Sequence, residues 1–374
     1  MRVGSSSSFR ALRLGSCLAL ALVSAGCAPV TQAPPVDPEL AKIEADKQLL
    51  IVVERQIDDL RRLHNASFRI LAANFELCEE KGKVTKKFGM QITNSRAFAK
   101  DYRAVAEKVL GPAGTFYVSA VPPNSPASAA GIQEGDVLLS VDEAPLPSGE
   151  NAHKELMSQI ADFANKGKTV VFRVRRKGEE HDAHVTPAKI CDYAYGIVQK
   201  NDVNAFADGQ NIVFHTGMMR FAATDEELAT VIGHELAHNL MGHIDSKLGN
   251  AYIGLIFDVI AAGFGINTQG AFSNMASQAY SQEFETEADY VGLYLMARAG
   301  YNIADTPNFW RRMGAEHPGS IRTNHGSSHP PTPYRFVSLD KTVEEINRKK
   351  AAGLPLKPEM RKADPMPAAA PSAN

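Results

Sequence analysis

The sequence predicts an α+β protein: a long N-terminal helix, a mixed β/α middle segment, and a mainly helical C-terminal region with a small edge-strand sheet. Three observations predict it. Apolar residues recur mostly at three- and four-residue steps across residues 39–77. The period then changes to short strand-like runs between Gly- and Pro-marked turns up to about residue 187. Helical spacing returns in two runs beyond residue 192.

Composition agrees with this. A chain of 374 residues suggests two to three domains. With 44% hydrophobic and 22% charged residues it is neither wholly disordered, collagenous nor a coiled-coil rod. The formal charge of -2 shows no basic excess, so no nucleic-acid partner is expected.

The first residues read as an export signal over 1–26. Arg2, Arg10 and Arg13 precede the apolar run 14–25, which is too short to span a bilayer. Ser24-Ala25-Gly26-Cys27 resembles a bacterial lipobox, with Ser24 in place of the usual leucine. That resemblance implies a lipid on Cys27 and a periplasmic protein held at a membrane. Ala28 after the cysteine, by analogy with bacterial sorting, favours the outer membrane. The alternative is simple cleavage and release. Residues 27–38 carry Pro29, Pro34, Pro35 and Pro38 and read as a stiff spacer.

The helical part runs over 39–80, through Leu40, Ile43, Leu50, Val53, Ile57, Leu60 and Leu63 without Pro or Gly. It packs on its own protein or dimerises. Cys78 and Cys191 flank the middle segment, and export places them in an oxidising space, so a disulfide between them is expected. Two buried thiols are the alternative.

In the middle segment, 84–187, strands are expected at 115–121, 170–174 and 183–186, with a helix near 151–165. Ser125-Pro-Ala-Ser-Ala-Ala-Gly131 followed by Glu134-Gly-Asp-Val-Leu-Leu139 resembles the core signature of a bacterial PDZ domain. The resemblance implies a groove that takes an extended peptide as an extra strand and holds its C-terminal carboxylate. Phe88-Gly89-Met90 resembles the carboxylate-binding loop. The stretch 91–114 is longer than that pattern allows, and a filled, purely structural groove is the alternative.

Residues 192–346 carry the chemistry. His234-Glu235-Leu236-Ala237-His238 is an H-E-x-x-H sequence in a helical run that Thr224 can cap, with Asp225, Glu226 and Glu227 in its first turn. The i,i+4 spacing turns both imidazoles to one face, where they can chelate a small cation such as Zn²⁺. Glu235, about 100° around the helix, is placed to reach a water rather than the metal. Glu285 and Asp289 share a face of a second helical run. One can be a third ligand and the other an acceptor behind a ligand histidine. His243 reads as a structural or surface residue. The apolar run 251–266, with Asp258 in its middle, reads as a core helix or a lid rather than a membrane span. Past residue 346, the Pro- and Ala-rich stretch to residue 374 reads as a disordered tail.

Together these motifs resemble the HtpX, BepA and Oma-type gluzincin metallopeptidases, relatives of the CAAX prenyl proteases. The likeness covers residues 204–335 and includes Asn204-Ala-Phe206, Ile212-Val-Phe-His-Thr-Gly217, Gly242-His243, Asp289-x-x-Gly292 and His329-Pro-Pro-Thr-Pro-Tyr-Arg335. It implies a zincin-type domain holding one zinc ion through His234, His238 and Glu285, with Glu235 catalytic. Glu287 is the alternative third ligand, and Asp289 stands behind a ligand histidine. His329 either stabilises the oxyanion or binds zinc and shuts the site, with Arg335 paired to an acid beside it. His317-Pro318 is a competitor for His329 that lacks the following arginine. Residues 211–215 are expected as an edge strand that pairs with substrate. The implied activity is hydrolysis of peptide bonds in unfolded or misassembled envelope proteins, recruited through their C-termini. The alternative is an envelope chaperone or assembly factor with a latched metal site.

Overall fold

The computed structural model describes residues 33–243, 282–316, 318, 329 and 332–360. The export segment, Cys27, the apolar stretch 251–266, His317 and residues 361–374 of the Pro- and Ala-rich tail lie outside the described residues. The chain divides into two units, residues 1–48 and 49–374. In the first, the described part is the end of the spacer and the opening turns of helix α1 (Pro38–Ala73), almost all exposed.

In the second unit, α1 buries Val53, Leu63, Phe68, Ile70 and Leu71. The helix expected to reach residue 77 breaks at Asn74, and α2 (Phe75–Glu79) follows. The Asn74 amide donates to the carbonyls of Ile70 and Leu295 at 2.8 and 3.0 Å, and its Oδ1 accepts from Arg298 Nε at 2.8 Å. A short polar side chain that bonds backbone in this way competes with helix propagation.

Strands β1 (Val84–Lys87) and β8 (Ala188–Cys191) pair antiparallel and close the middle segment at its two ends. Beside them Cys78 and Cys191 form a disulfide, with Cα atoms 5.4 Å apart. Between them lies a sheet with strand order β2 (Gln91–Thr93), β3 (Phe116–Ala120), β4 (Val137–Val141), β6 (Val170–Arg176), β7 (Glu179–Val185). Strand β5 (Ala144–Pro145) hangs on β4, and every pairing is antiparallel. Inward residues of the strands and of helix α5 (Ala152–Lys166), including Phe116, Val118, Leu156 and Phe172, form one core. The stretch 91–114 holds β2, a 3-10 turn and helix α3 (Lys100–Leu110), whose Val105, Ala106 and Leu110 pack with Val53 of α1. Its extra length therefore makes a second small core. Helix α4 (Pro126–Ala129) is capped by Ser125, whose hydroxyl accepts from Ser128 N–H at 3.1 Å. Gly131 and Gly135, at φ of +85° and +86°, turn the chain into β4.

The disulfide closes a loop with a sequence separation of 113 residues. Loops of that length constrain the unfolded chain most. The Cys78→Ala/Cys191→Ala double variant is expected to lose about 2–5 kcal/mol of stability. Equal urea midpoints for parent and double variant would contradict this.

The third region opens with a three-stranded sheet: β10 (Ala205–Ala207), β11 (Asn211–His215), β9 (Ala194–Val198). The sequence places 211–215 at the sheet edge; the structure corrects this. Strand β11 is central, antiparallel to β10 and parallel to β9, and all five of its residues are buried. Both its backbone edges are used, so the edge beside the H-E-x-x-H helix belongs to β10. Helices α6 (Thr216–Phe221), α7 (Asp225–Met241), α8 (Gln282–Arg298), α9 (Thr306–Glu316) and α10 (Pro333–Ala351) complete the described part.

Candidate metal centre

Helix α7 starts as the sequence suggests. The Thr224 hydroxyl accepts from Glu227 N–H at 3.2 Å, and the Glu227 carboxylate accepts from Ala223 N–H at 2.8 Å. All thirteen residues from Leu228 to Leu240 are buried, which is why the two histidines present no exposed polar face. Helix α8 crosses α7 where two glycines meet. A β-carbon on Gly233 would lie 2.8 Å from the Gly292 carbonyl oxygen, and one on Gly292 would lie 2.9 Å from His234 N. Only hydrogen fits there, and this approach carries the carboxylates of α8 to the histidines of α7. Gly292→Ala must push backbone apart. We expect about 1–3 kcal/mol of destabilisation and a weakened metal site, read by thermal unfolding and zinc stoichiometry together.

The donors converge. His234, His238, Glu285 and His329 each offer one atom, all within 4.8 Å of one another, and all four residues are buried. His234 Nε2 lies 3.1 Å from His238 Nε2 and 3.2 Å from His329 Nδ1. Glu285 Oε1 lies 3.3 Å from His238 Nε2 and 2.9 Å from His329 Nδ1. Behind them, His234 Nδ1 is 3.0 Å from Asp289 Oδ1. Asp289 also accepts from Arg335 Nε and Nη2 at 2.7 and 2.8 Å, and Arg335 Nη1 reaches Glu285 Oε2 at 2.8 Å. The Trp310 ring stands against both His234 and the Arg335 guanidinium, at 4.9 and 5.4 Å.

Electrostatics follow from this packing. Burial opposes the charge on Glu285, but His329 and Arg335 overcome it and hold its carboxyl well below the usual range. Burial likewise opposes charge on Asp289, and Arg335 overcomes it. Burial raises the Glu235 carboxyl, only partly offset by His329 and His234. Burial pushes His238 down to about 3. Burial also works against a charged His234, but Asp289 and Glu285 pull it up to about 9.

The donor set passes a test for a metal. An ionised Asp289 only accepts, so the His234 proton sits on Nδ1 and its Nε2 presents a lone pair inward. Two further ring nitrogens face that lone pair at hydrogen-bond distance, with a carboxylate beside them. Such an arrangement needs a cation or a proton among the nitrogens. Nitrogen and oxygen donors at four-fold coordination suit Zn²⁺.

Every active-site residue expected from sequence is therefore brought together: His234, Glu235, His238, Glu285, Asp289, His329 and Arg335. Two residues take definite places. Glu287 stands outside the donor group, with Oε2 2.7 Å from His243 Nε2. His243, read as structural or surface, has a buried side chain with Nδ1 2.9 Å from His238 Nδ1. The Gly242-His243 pair was the only sequence signal for it. In the middle segment, Phe88 is 3% exposed and edge-on to Phe172. Gly89 is buried at φ +84°, its α-carbon facing Ser125 and Phe68 of α1 so closely that a β-carbon would lie 2.5 and 2.8 Å away. Met90 is half-buried.

Comparison with known proteins agrees. Residues 173–343 match Peptidase family M48, and residues 87–186 match the PDZ domain family. The mitochondrial metalloendopeptidase OMA1 of Saccharomyces cerevisiae is 30% identical over 38% of this chain and 44% of that protein. Its Arabidopsis thaliana namesake is 29% identical over 42% of this chain and 33% of that protein. The beta-barrel assembly-enhancing protease of Yersinia pestis is 25% identical over 32% of this chain and 28% of that protein. The chain thus spans less than half the length of these three relatives. Matching sequence and a four-donor centre coincide on the same residues: 173–343 are similar to peptidase family M48, whose members are zinc-dependent, and they follow a stretch, 87–186, similar to PDZ domains.

Proposed function

We propose that the protein is a zinc endopeptidase that hydrolyses unfolded or misassembled cell-envelope proteins. The observation that carries this reading is the convergence of His234, His238 and Glu285 with the buried Glu235 beside them. Zinc, when bound there, polarises a scissile carbonyl and acidifies a water. Glu235 supplies the proton traffic: its raised carboxyl pKa suits it to take a proton from the attacking water and pass it to the leaving amine. His329 spans both parts, with Nδ1 in the donor group and Nε2 3.4 Å from Glu235 Oε1. That position supports its reading as a fourth donor that closes the site at rest and gives way to substrate.

Strand β10 supplies the substrate edge. His215 N–H donates to Asn204 O, and Asp208 N–H to Asn211 O, on either side of the Phe206–Val213 pair. Antiparallel alternation then turns the backbone groups of Ala205 and Ala207 away from β11. The Ala207 N–H already faces Glu235. A peptide pairing there must be extended, and backbone pairing reads shape more than sequence. Unfolded chains meet that requirement.

The PDZ domain supports a recruiting role. Strand β2 ends its sheet, and its open side faces α5. A cavity of about 130 Å³ lies between them, lined also by Gln56, Asp59 and Leu60 of α1. His153 Nε2 is 3.1 Å from the Ile92 carbonyl in the same place. The space holds about one side chain, well below the roughly 300 Å³ of small-ligand sites. Peptide addition to β2 therefore requires α1 to shift, while Phe88, Gly89 and Met90 keep the loop in position. The export segment and Cys27 support a lipid-anchored periplasmic protein, on the outer membrane in preference to the inner. Among the described residues no helix is long and apolar enough to cross a membrane.

The test is degradation of casein by the chain from Ala28 onward. Cleavage that stops on zinc removal and returns with zinc supports the reading. A zinc-loaded protein that holds unfolded clients without cutting them would replace it with a binding role.

A further inference from the structure

We infer that His243 and Glu287 are positioning residues for the metal centre, fixing the tautomer and aim of His238 as Asp289 does for His234. The inference rests on the zinc-site reading above. It starts from the backbone. Gly242 ends helix α7 in the left-handed region, at φ +72°. The His243 N–H then folds back onto the His238 carbonyl at 3.1 Å, and the Gly242 N–H onto the Asn239 carbonyl at 3.3 Å. This is a Schellman ending, in which the residue after the glycine is set against the residue five back. Usually that contact is apolar. Here it joins two imidazoles.

The side chains complete a directed chain. His243 Nε2 lies 2.7 Å from Glu287 Oε2, and a carboxylate there only accepts, so Nε2 carries the proton. With Nε2 committed to Glu287, Nδ1 is the ring nitrogen that offers a lone pair. That lone pair lies 2.9 Å from His238 Nδ1, so His238 must donate through Nδ1. The result leaves His238 Nε2 as a lone pair directed at the donor group, as a zinc ligand requires. The ring of Phe284 lies over His243, with centroids 4.6 Å apart and planes 32° apart, and holds it in this orientation. Helix α8 thus supplies both supports: Asp289 directly to His234, and Glu287 through His243 to His238. The Glu287 position, the alternative third ligand by sequence, has this separate role.

Equilibrium zinc affinity of the full chain, by competition with a chelator, tests this without any assay of cleavage. His243→Phe keeps the ring over Phe284 but removes the acceptor, and should weaken zinc about 10- to 100-fold. His243→Gln, whose amide oxygen can accept from His238 Nδ1–H, should recover most of that loss. Glu287→Leu, at a position whose side chain is 45% exposed, should weaken zinc several-fold with unchanged metal-free thermal stability. Parental affinity in His243→Phe, or in Glu287→Leu should the first fail to fold, overturns the inference. Equal losses in His243→Phe and His243→Gln also overturn it, because they would mark a packing role alone. Absence of zinc binding by the parent would instead overturn the metal-centre reading, so the two failures are distinct.

Discussion

Glu235→Gln is expected to lower peptide hydrolysis by about 10²- to 10⁴-fold while zinc content stays at one per chain. The substitution keeps size and hydrogen-bonding shape, so the Ala207 N–H still finds an acceptor. It removes the buried carboxylate that faces His329 and the Ala207 N–H beside the donor group without belonging to it. Glutamine cannot take a proton from water near neutral pH, and no neighbour replaces it. His329 lies 3.4 Å away, but it is also bonded to Glu285 at 2.9 Å. Casein turnover alongside metal analysis checks the prediction. A variant that cleaves at the parental rate would remove Glu235 from the chemistry, and one that loses zinc would make it a structural residue.

Arg335→Met is expected to cost about 3–5 kcal/mol in the metal-free protein, because it strips the cation from two buried carboxylates. Arg335 is 2% exposed and bonds both Asp289 and Glu285, each within 2.8 Å. Methionine keeps the apolar stem but leaves those buried carboxylates without their guanidinium partner. The sign of the pH dependence follows. In the parent both carboxyls lie below their ordinary values, so their contribution is present at neutral pH and is lost only as pH falls through the depressed folded values. In the variant both carboxyls rise from these depressed values, Asp289 the more, because Arg335 is its main lowering partner whereas His329 still lowers Glu285. They then take up protons on mild acidification, which relieves the strain. The stability gap should be widest near pH 8 and narrow toward pH 5, measured by urea unfolding at both. A constant gap would mean that lost packing on Trp310, not charge, sets the cost.

Much of the centre was legible because its parts are local. Helix geometry alone puts His234 and His238 on one face and Glu235 off it, and the same holds for Glu285 and Asp289. Thr224 signalled the start of α7 for a similar reason, since a cap concerns a single turn. The Ser125–Leu139 signature marked the PDZ domain because its serine cap and two left-handed glycines are local requirements. Pairings between segments carry no such period. Residues 211–215 read as an edge strand because an isolated apolar strand does not reveal how many neighbours it has. His243 read as a structural or surface residue, without a place in the site, because its partners are a residue five positions back and a carboxylate on another helix.

The sequence by itself determined which residues could bind a metal, where the helices that carry them begin, and which stretch resembles a PDZ domain. Tertiary structure decided the rest. The crossing at Gly233 and Gly292 sets how close the two ligand helices come. Arg335 joins Asp289 to Glu285, and the Schellman turn sets His243 behind His238. Helix α1, not the loop composition, walls the PDZ groove. The physical reason is one of range: hydrogen bonding along a helix repeats within four residues, whereas close approach and charge pairing between helices depend on surfaces that meet only once the chain has folded.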